Sequence, residues 1–593
     1  MQNYRPPIED IAFVLTDLAH LSGVCALPGH EDITPELVAT ILEQAGKFAS
    51  EVLAPLNHVG DVEGSHLVDG IVSTPTGWQN AYREFSQNGW TGLLFDSQYG
   101  GQGLPRLVGV AVQELWDASN MAFSLCPMLT QTAAEVICLQ GTAEQKKIYL
   151  EPLVSGKWTG TMNLTEPQAG SDLSGIRTQA VRTPEGHYKL SGQKIFITYG
   201  DHDLAENIVH LVLARTPDAP SGVKGISLFI VPKFIPDSDG NPGKRNDVRT
   251  VSLEHKLGIR ASPTAVLSYG DESGAIGHLL GEEHRGLEYM FIMMNMARHA
   301  VGIEAYAIAD RAYQRALDYS MERVQGYSVG SKNTQKVPIR NHPDVSRMLV
   351  EMECQIQAMR ALSLYTASAQ DFVSRHPDDA KRADSQVIVD VLTPIVKGWS
   401  SEVANDIASQ GIQVMGGMGF IEETGMAQYF RDARITTIYE GTTGIQAADL
   451  VRRKLISDRG AMIQKVIELI RRDIEDSNAK NAPEVLSINM GTMNGLELLQ
   501  DSTAWLLDSE RKDPRLPFAA SFNYLMLWGI VAGGWQMMRA SSIALKYIEE
   551  KHNTSFYSHK VLTSKYYAGF ILPKTAGYYS AIVNGSELLM DAK

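Results

Sequence analysis

At 593 residues the chain exceeds what one hydrophobic core holds, so several domains are expected. With 44% hydrophobic and 20% charged residues and no long low-complexity tract, disorder is excluded for most of the length. A net charge of −15, from 68 acidic against 53 basic residues, excludes a broad nucleic-acid footprint but not a local site for one anionic group.

The chain opens with Met1-Gln2-Asn3-Tyr4-Arg5-Pro6-Pro7-Ile8-Glu9-Asp10, early acidic groups without an apolar signal core. Up to about residue 158 the pattern is helical: Val38, Ile41, Leu42 and Ala45 recur at helical spacing, and Val110 to Leu139 carries similar stripes. From about 159 the texture changes. Lys194 to Thr198, Ile208 to Leu213 and Ile226 to Val231 are short, β-branched and bounded by Gly, Asp or Pro, which predicts strands of a small antiparallel barrel or sandwich. Helical periodicity returns from about Gly286 to Arg453, and a last region from about 460 carries Ile463, Val466, Ile467 and Ile470 on one face.

The expected fold is therefore mainly α with a central β domain. Its segments are a helical domain with a leader (1–158), a β domain (159–275), a helical bundle (276–455) and a further helical domain (456–593). The apolar run from Tyr524 to Trp535 is about 12 residues, short of the roughly 20 that span a bilayer, and reads as a buried helix rather than a membrane anchor. Four scattered cysteines without a CxxC pair, and no His-rich ligand spacing, predict neither a disulfide framework nor a metal site and fit a reducing cytoplasm.

The first chemical signal is Met162-Asn163-Leu164-Thr165-Glu166-Pro167-Gln168-Ala169-Gly170-Ser171-Asp172. A short strand runs into a turn in which Thr165 and Ser171 offer hydroxyls and Gly170 permits close backbone approach. Read alone, it is equally a tight loop with local caps. Some 30 residues on, Phe196-Ile197-Thr198 could flank a planar ring. The run Gly417-Met418-Gly419 is no dinucleotide fingerprint, since Glu422 replaces the third glycine and no strand precedes it.

Thr-Glu-Pro-x-Ala-Gly-Ser-Asp at 165–172, Gln413-Val414-Met415-Gly416-Gly417 and Tyr-Glu-Gly-Thr at 439–442 resemble, in this order, three signatures of the acyl-CoA dehydrogenase family. The resemblance covers about residues 40 to 455. It implies an N-terminal helical domain, a middle β-barrel and a four-helix bundle, with FAD as cofactor. It also implies that Met162, Leu164, Thr165, Phe196 and Thr198 surround the flavin ring, with Phe196 standing where many relatives carry Trp. Arg323, Gln413, Gly416, Gly417 and Thr442 would hold the rest of the cofactor, although Gln325-Gly326 and an insertion depart from the family pattern after Arg323. Ser171, Arg298, Tyr439 and Gly441 would meet the acyl-CoA substrate.

Glu440 is the expected catalytic base, taking the α-proton while the β-hydrogen leaves as hydride to the flavin. Some relatives carry the base just before the arginine that Arg298 resembles; here Ala297 stands there and cannot serve. The chain continues about 140 residues past Arg452-Arg453, which is similar to the larger family members, among them enzymes of 3-methylmercaptopropionyl-CoA. That substrate or a medium- or long-chain fatty acyl-CoA, an electron-transfer flavoprotein as acceptor and a homodimer are the expectations that follow. An oxidase that passes electrons to oxygen, and a non-catalytic acyl-CoA-binding protein, remain open alternatives at this point.

Overall fold

The computed structural model describes residues 4–330, 335–479 and 483–591. The chain forms two compact units, one of Lys47–Leu104 and Ser119–Ala297, the other of 4–46, 105–118 and 298–591. Two long helices, α1 (Arg106–Gln140) and α2 (Gly286–Glu322), each supply residues to both units. Inside α1 the helix breaks at Asn120, whose φ of −160° is extended. Its side chain accepts the Phe123 N–H at 3.1 Å and donates to Leu53 O at 3.3 Å, so Asn120 restarts the helix as an N-cap.

The first unit is built on an eight-stranded sheet: β1 (Trp158–Asn163), β2 (Gln179–Arg182), β3 (Tyr188–Thr198), β4 (Asn207–Ala214), β5 (Ser227–Pro232), β6 (Val248–Leu253), β7 (Thr264–Tyr269) and β8 (Ala275–Leu279). The order is β6-β7-β3-β8-β5-β4-β1, with β2 paired to β3. Every residue of β4 and β5 is buried, which is why both read as unbroken apolar runs. The all-antiparallel expectation fails at one edge. There β1 runs parallel to β4, Trp158 opposite Asn207 through Asn163 opposite Val212, because the chain crosses over through β2 and β3 before returning as β4.

One irregularity of this sheet matters for the site. Ala265 pairs with Ile197, but Leu267 pairs with Lys194, so Ile195 and Phe196 together face the single residue Val266. Phe196 takes the bulge conformation, φ 59°, and its ring turns outward, 59% exposed.

The second unit packs α2 with α3 (Pro343–Arg375), α4 (Asp379–Met415) and the short α5 (Thr443–Asp449), followed by α6 (Ala461–Ala479), α7 (Leu486–Lys512), α8 (Leu516–Glu549) and α9 (Thr554–Tyr566). The face Ile463, Val466, Ile467, Ile470 is buried as expected. The run Tyr524 to Trp535 lies within α8, a helix long and apolar enough to cross a membrane, yet 78% of its apolar window is buried inside the protein. One departure from continuous helix is a hairpin, Val324–Tyr327 against Lys336–Pro338, too short to show an alternating pattern.

Three consecutive residues of α4 are held in different ways. Lys397 is fully buried. A Cβ on Gly398 would meet Leu525 at 2.5 Å and Gln446 at 3.3 Å. Trp399 lies so close to Gly529 of α8 that a Cβ there would come within 2.0 Å of the indole, so only glycine fits. Elsewhere in the unit Arg360 pairs with Asp10 and Glu114, both at 2.5 Å, while Lys560 of α9 binds the other oxygen of Asp10.

Candidate active site

Glu440 sits in an irregular turn between the 3₁₀ segment Arg434–Thr437 and α5. Its φ is 55° and that of Gly441 is 88°, two successive left-handed residues. Left-handed backbone at a glutamate costs about 1–2 kcal/mol and persists only where neighbours impose it. The neighbours are specific. Gln446 Nε2 donates to Glu440 O at 3.2 Å and to Gly441 O at 3.4 Å, Lys397 Nζ donates to Thr436 O at 2.7 Å and to Gly441 O at 2.6 Å, and the Tyr439 hydroxyl donates to Glu304. Thr442 caps α5 by accepting the Ile445 N–H at 3.2 Å. Among the described residues, no hydrogen bond engages the Glu440 N–H.

Burial raises the Glu440 carboxyl to about 7, against the opposing pull of Arg298 and then Lys397. Arg298 itself is 6% exposed and lowered by burial, with Asp449 and Glu440 partly restoring its charge. Burial likewise brings Lys397 down to about 8, opposed by Glu440 and Glu304. Glu304 is raised well above the ordinary carboxylate range by burial and by Asp117. A proton acceptor poised near neutrality thus stands beside two buried cations, the condition that proton abstraction from a weak carbon acid needs.

The other expected site residues of the first unit lie at the end of β1 and on β3. Lys194 donates to Leu164 O at 2.9 Å and to Glu166 at 2.8 Å, and Ile195 N–H binds Thr165 O at 2.9 Å, so the bulged strand holds the 164–166 loop. Leu164 is buried, Met162, Thr165 and Thr198 are half-buried, and Ser171 is exposed. Neither the Thr165 nor the Thr198 hydroxyl has a protein partner among the described residues. An outward aromatic ring on a strained bulge, with two open hydroxyls beside it, fits a flat heteroaromatic group with polar edges. The ring of FAD is such a group.

In the second unit Gln413 is exposed on the last turn of α4, and Gly416 and Gly417 open the exposed 3₁₀ turn that follows it. Gly416 has φ 61°, and a Cβ on either glycine would meet nothing within 4 Å. The Arg323 side chain is exposed, without an ion pair among the described residues, and His342 Nε2 lies 2.7 Å from Gln325 O in the adjoining hairpin. Such an open turn and free guanidinium suit an anionic chain. The site residues thus fall into two sets, each held within one unit. Tyr439, expected at the substrate, has its hydroxyl committed to Glu304 inside the bundle.

Sequence reasoning missed Lys397, Glu304 and Gln446. The signal for the first two was present: Ile395-Val396-Lys397-Gly398-Trp399 and Val301-Gly302-Ile303-Glu304-Ala305 each place a charge in an apolar helical run.

A helical N-terminal part, a middle sheet and a helical bundle with a poised carboxylate define a flavin-dependent dehydrogenase of acyl thioesters. The chain belongs to the acyl-CoA dehydrogenase family. The family's N-terminal domain matches residues 36–157, its middle domain 161–271 and its C-terminal domain 284–455, and an "Acetyl-CoA dehydrogenase C-terminal like" domain matches 462–593. The 3-methylmercaptopropionyl-CoA dehydrogenase of Ruegeria pomeroyi is 44% identical over 99% of both chains. The broad-specificity linear acyl-CoA dehydrogenase FadE5 of Mycobacterium tuberculosis is 34% identical over 97% of this chain and 96% of its own. An acyl-CoA dehydrogenase from Bacillus anthracis, solved with FAD, shares the fold with a TM-score of 0.71, at 22% identity over 96% of this chain and 92% of that one. The protein is accordingly an FAD-dependent acyl-CoA dehydrogenase.

Proposed function

We propose that Glu440 is the base of this dehydrogenase and that 3-methylmercaptopropionyl-CoA is its substrate. The observation that carries the base assignment is the poised, half-buried Glu440 carboxylate on a turn clamped by Lys397, Gln446 and Tyr439. Support for the substrate is the full-length similarity to an enzyme named for it.

Glu440 takes the α-proton and becomes neutral, which its burial favours. Its own N–H, unpartnered among the described residues, is the donor for the thioester oxygen, where negative charge grows as the proton leaves. Bound FAD supplies the acceptor for the β-hydride. Thr165, Phe196 and Thr198 hold the flavin ring, while Arg323, Gln413, Gly416, Gly417 and Thr442 hold its nucleotide portion. Ser171 and Gly441 meet the thioester chain. The electrons then pass to an electron-transfer flavoprotein, and the working form is a cytoplasmic homodimer.

Anaerobic titration with acyl-CoAs of graded length and with 3-methylmercaptopropionyl-CoA, followed by flavin bleaching, tests this reading. The thioether thioester should bleach the flavin fastest. A faster straight-chain thioester would replace the substrate, and undiminished bleaching by Glu440→Gln would reject the base.

A further inference from the structure

We propose that Lys397 is a positioning residue for the reaction: its ammonium pins the Glu440 turn from inside the bundle and supplies a positive charge that keeps the Glu440 carboxylate ionised. This rests on Glu440 being the base. Lys397 is completely buried, and its two hydrogen bonds reach Thr436 O and Gly441 O, 39 and 44 residues further along the chain. One side chain therefore bridges both ends of the segment that carries Tyr439 and Glu440. Its partners are carbonyl groups, which a neutral amide donor could satisfy equally well. A cation there bears a desolvation cost that carbonyl pairing alone does not explain.

The charged surroundings explain the choice. Arg298 and Glu304 face the Glu440 region from α2, Asp117 from α1, Glu402 from α4 and Asp449 from the end of α5, with Tyr439 in the turn itself. Burial presses the base toward its neutral form; Arg298 and then Lys397 oppose it. Lys397 also bonds the backbone of the turn, so position and field are coupled in a single group.

The alkaline shift of the base separates this role from simple support. In the FAD-loaded enzyme, single-turnover bleaching is measured against pH for wild type, Lys397→Gln and Lys397→Arg. Gln keeps a donor without the charge, so the ascending limb of the rate, set by ionisation of Glu440, should move alkaline by about one pH unit. Arg keeps the charge and should leave the limb in place, even at a lower maximal rate. An unmoved limb in a folded, flavin-bearing Lys397→Gln protein overturns the proposal, as does an equal displacement in Lys397→Arg. Loss of the fold in the Gln protein and in Lys397→Met would make the lysine structural and overturn it too. If Glu440→Gln bleaches like wild type, the reading of Glu440 has failed instead, and the two failures are distinguishable.

Discussion

Glu166 and Lys194 form an ion pair at 2.8 Å in which neither side chain is more than 3% exposed. Burial alone would raise the Glu166 carboxyl, but Lys194, Thr178 and the Arg177 N–H outweigh it and hold it at about 2, while burial brings the ammonium down to about 8. The pair is therefore charged at neutral pH, and through Leu164 O it fixes the loop that carries Thr165. Lys194→Met leaves a buried carboxylate without its cation, a loss of about 3–5 kcal/mol. Urea melts should show this together with weakened flavin retention. The Glu166 contribution is present above its ordinary value of 4.5 and fades as pH falls from there toward 2, so the wild-type and Lys194→Met curves should converge in acid.

For Glu440→Gln, single-turnover bleaching should fall by at least about 100-fold with FAD still bound. The wild-type rate should rise with pH through about 7, since the base must be ionised. Stability runs the other way. The native carboxyl holds its proton more tightly than the unfolded one, so the wild type loses stability as pH rises from 4.5 to about 7. Glu440→Gln lacks that loss, and melts at pH 5 and pH 8 should show the variant gaining on the wild type at the higher pH.

Phe196 is strained in the left-handed region and exposed. Phe196→Gly relieves the backbone, worth about 1–2 kcal/mol, while removing the ring. Flavin-free protein should melt at the same or a higher temperature than wild type, yet its dissociation constant for FAD should rise. Unchanged FAD affinity by fluorescence titration would show that the ring does not stack on the flavin.

Burial pushes the Glu304 carboxyl well above the ordinary carboxylate range, so Glu304→Gln, which keeps an acceptor of the same shape, should retain most activity. Tyr439→Phe removes the hydroxyl that binds it, and with it one anchor of the Glu440 turn. The expected result is about tenfold slower bleaching, near the 1.4 kcal/mol of a lost buried hydrogen bond, with KM little changed. Equal losses in both variants would show that Glu304 works as a charge.

The strands β4 and β5 were legible because burial on both faces leaves an uninterrupted apolar run, and α8 because its apolar stretch is helical throughout. The Glu440 and Thr165 segments were legible as family signatures. The bulge at Phe196 was not, since it exists only in the register of β3 against β7, a relation between segments about 70 residues apart. A charge in an apolar helical run marked Lys397, but its role was not legible for a similar reason: its partners are backbone carbonyls far along the chain, which carry no residue-type pattern. The parallel edge of β1 with β4 and the hairpin after Arg323 escaped because neither pairing changes the local periodicity.

The seat of Trp399 on Gly529 bears on how the enzyme is made. Synthesis proceeds from the N-terminus, and early parts of a chain fold while later ones are still being added. When the helix carrying Lys397 has left the ribosome, the helix that receives its indole has yet to be translated. Until it arrives, a nascent chain bears an uncovered tryptophan face, the kind of surface that chaperones hold. A premature stop between Thr442 and Gly529 would thus yield a polypeptide with all its recognisable motifs and an unfinished core.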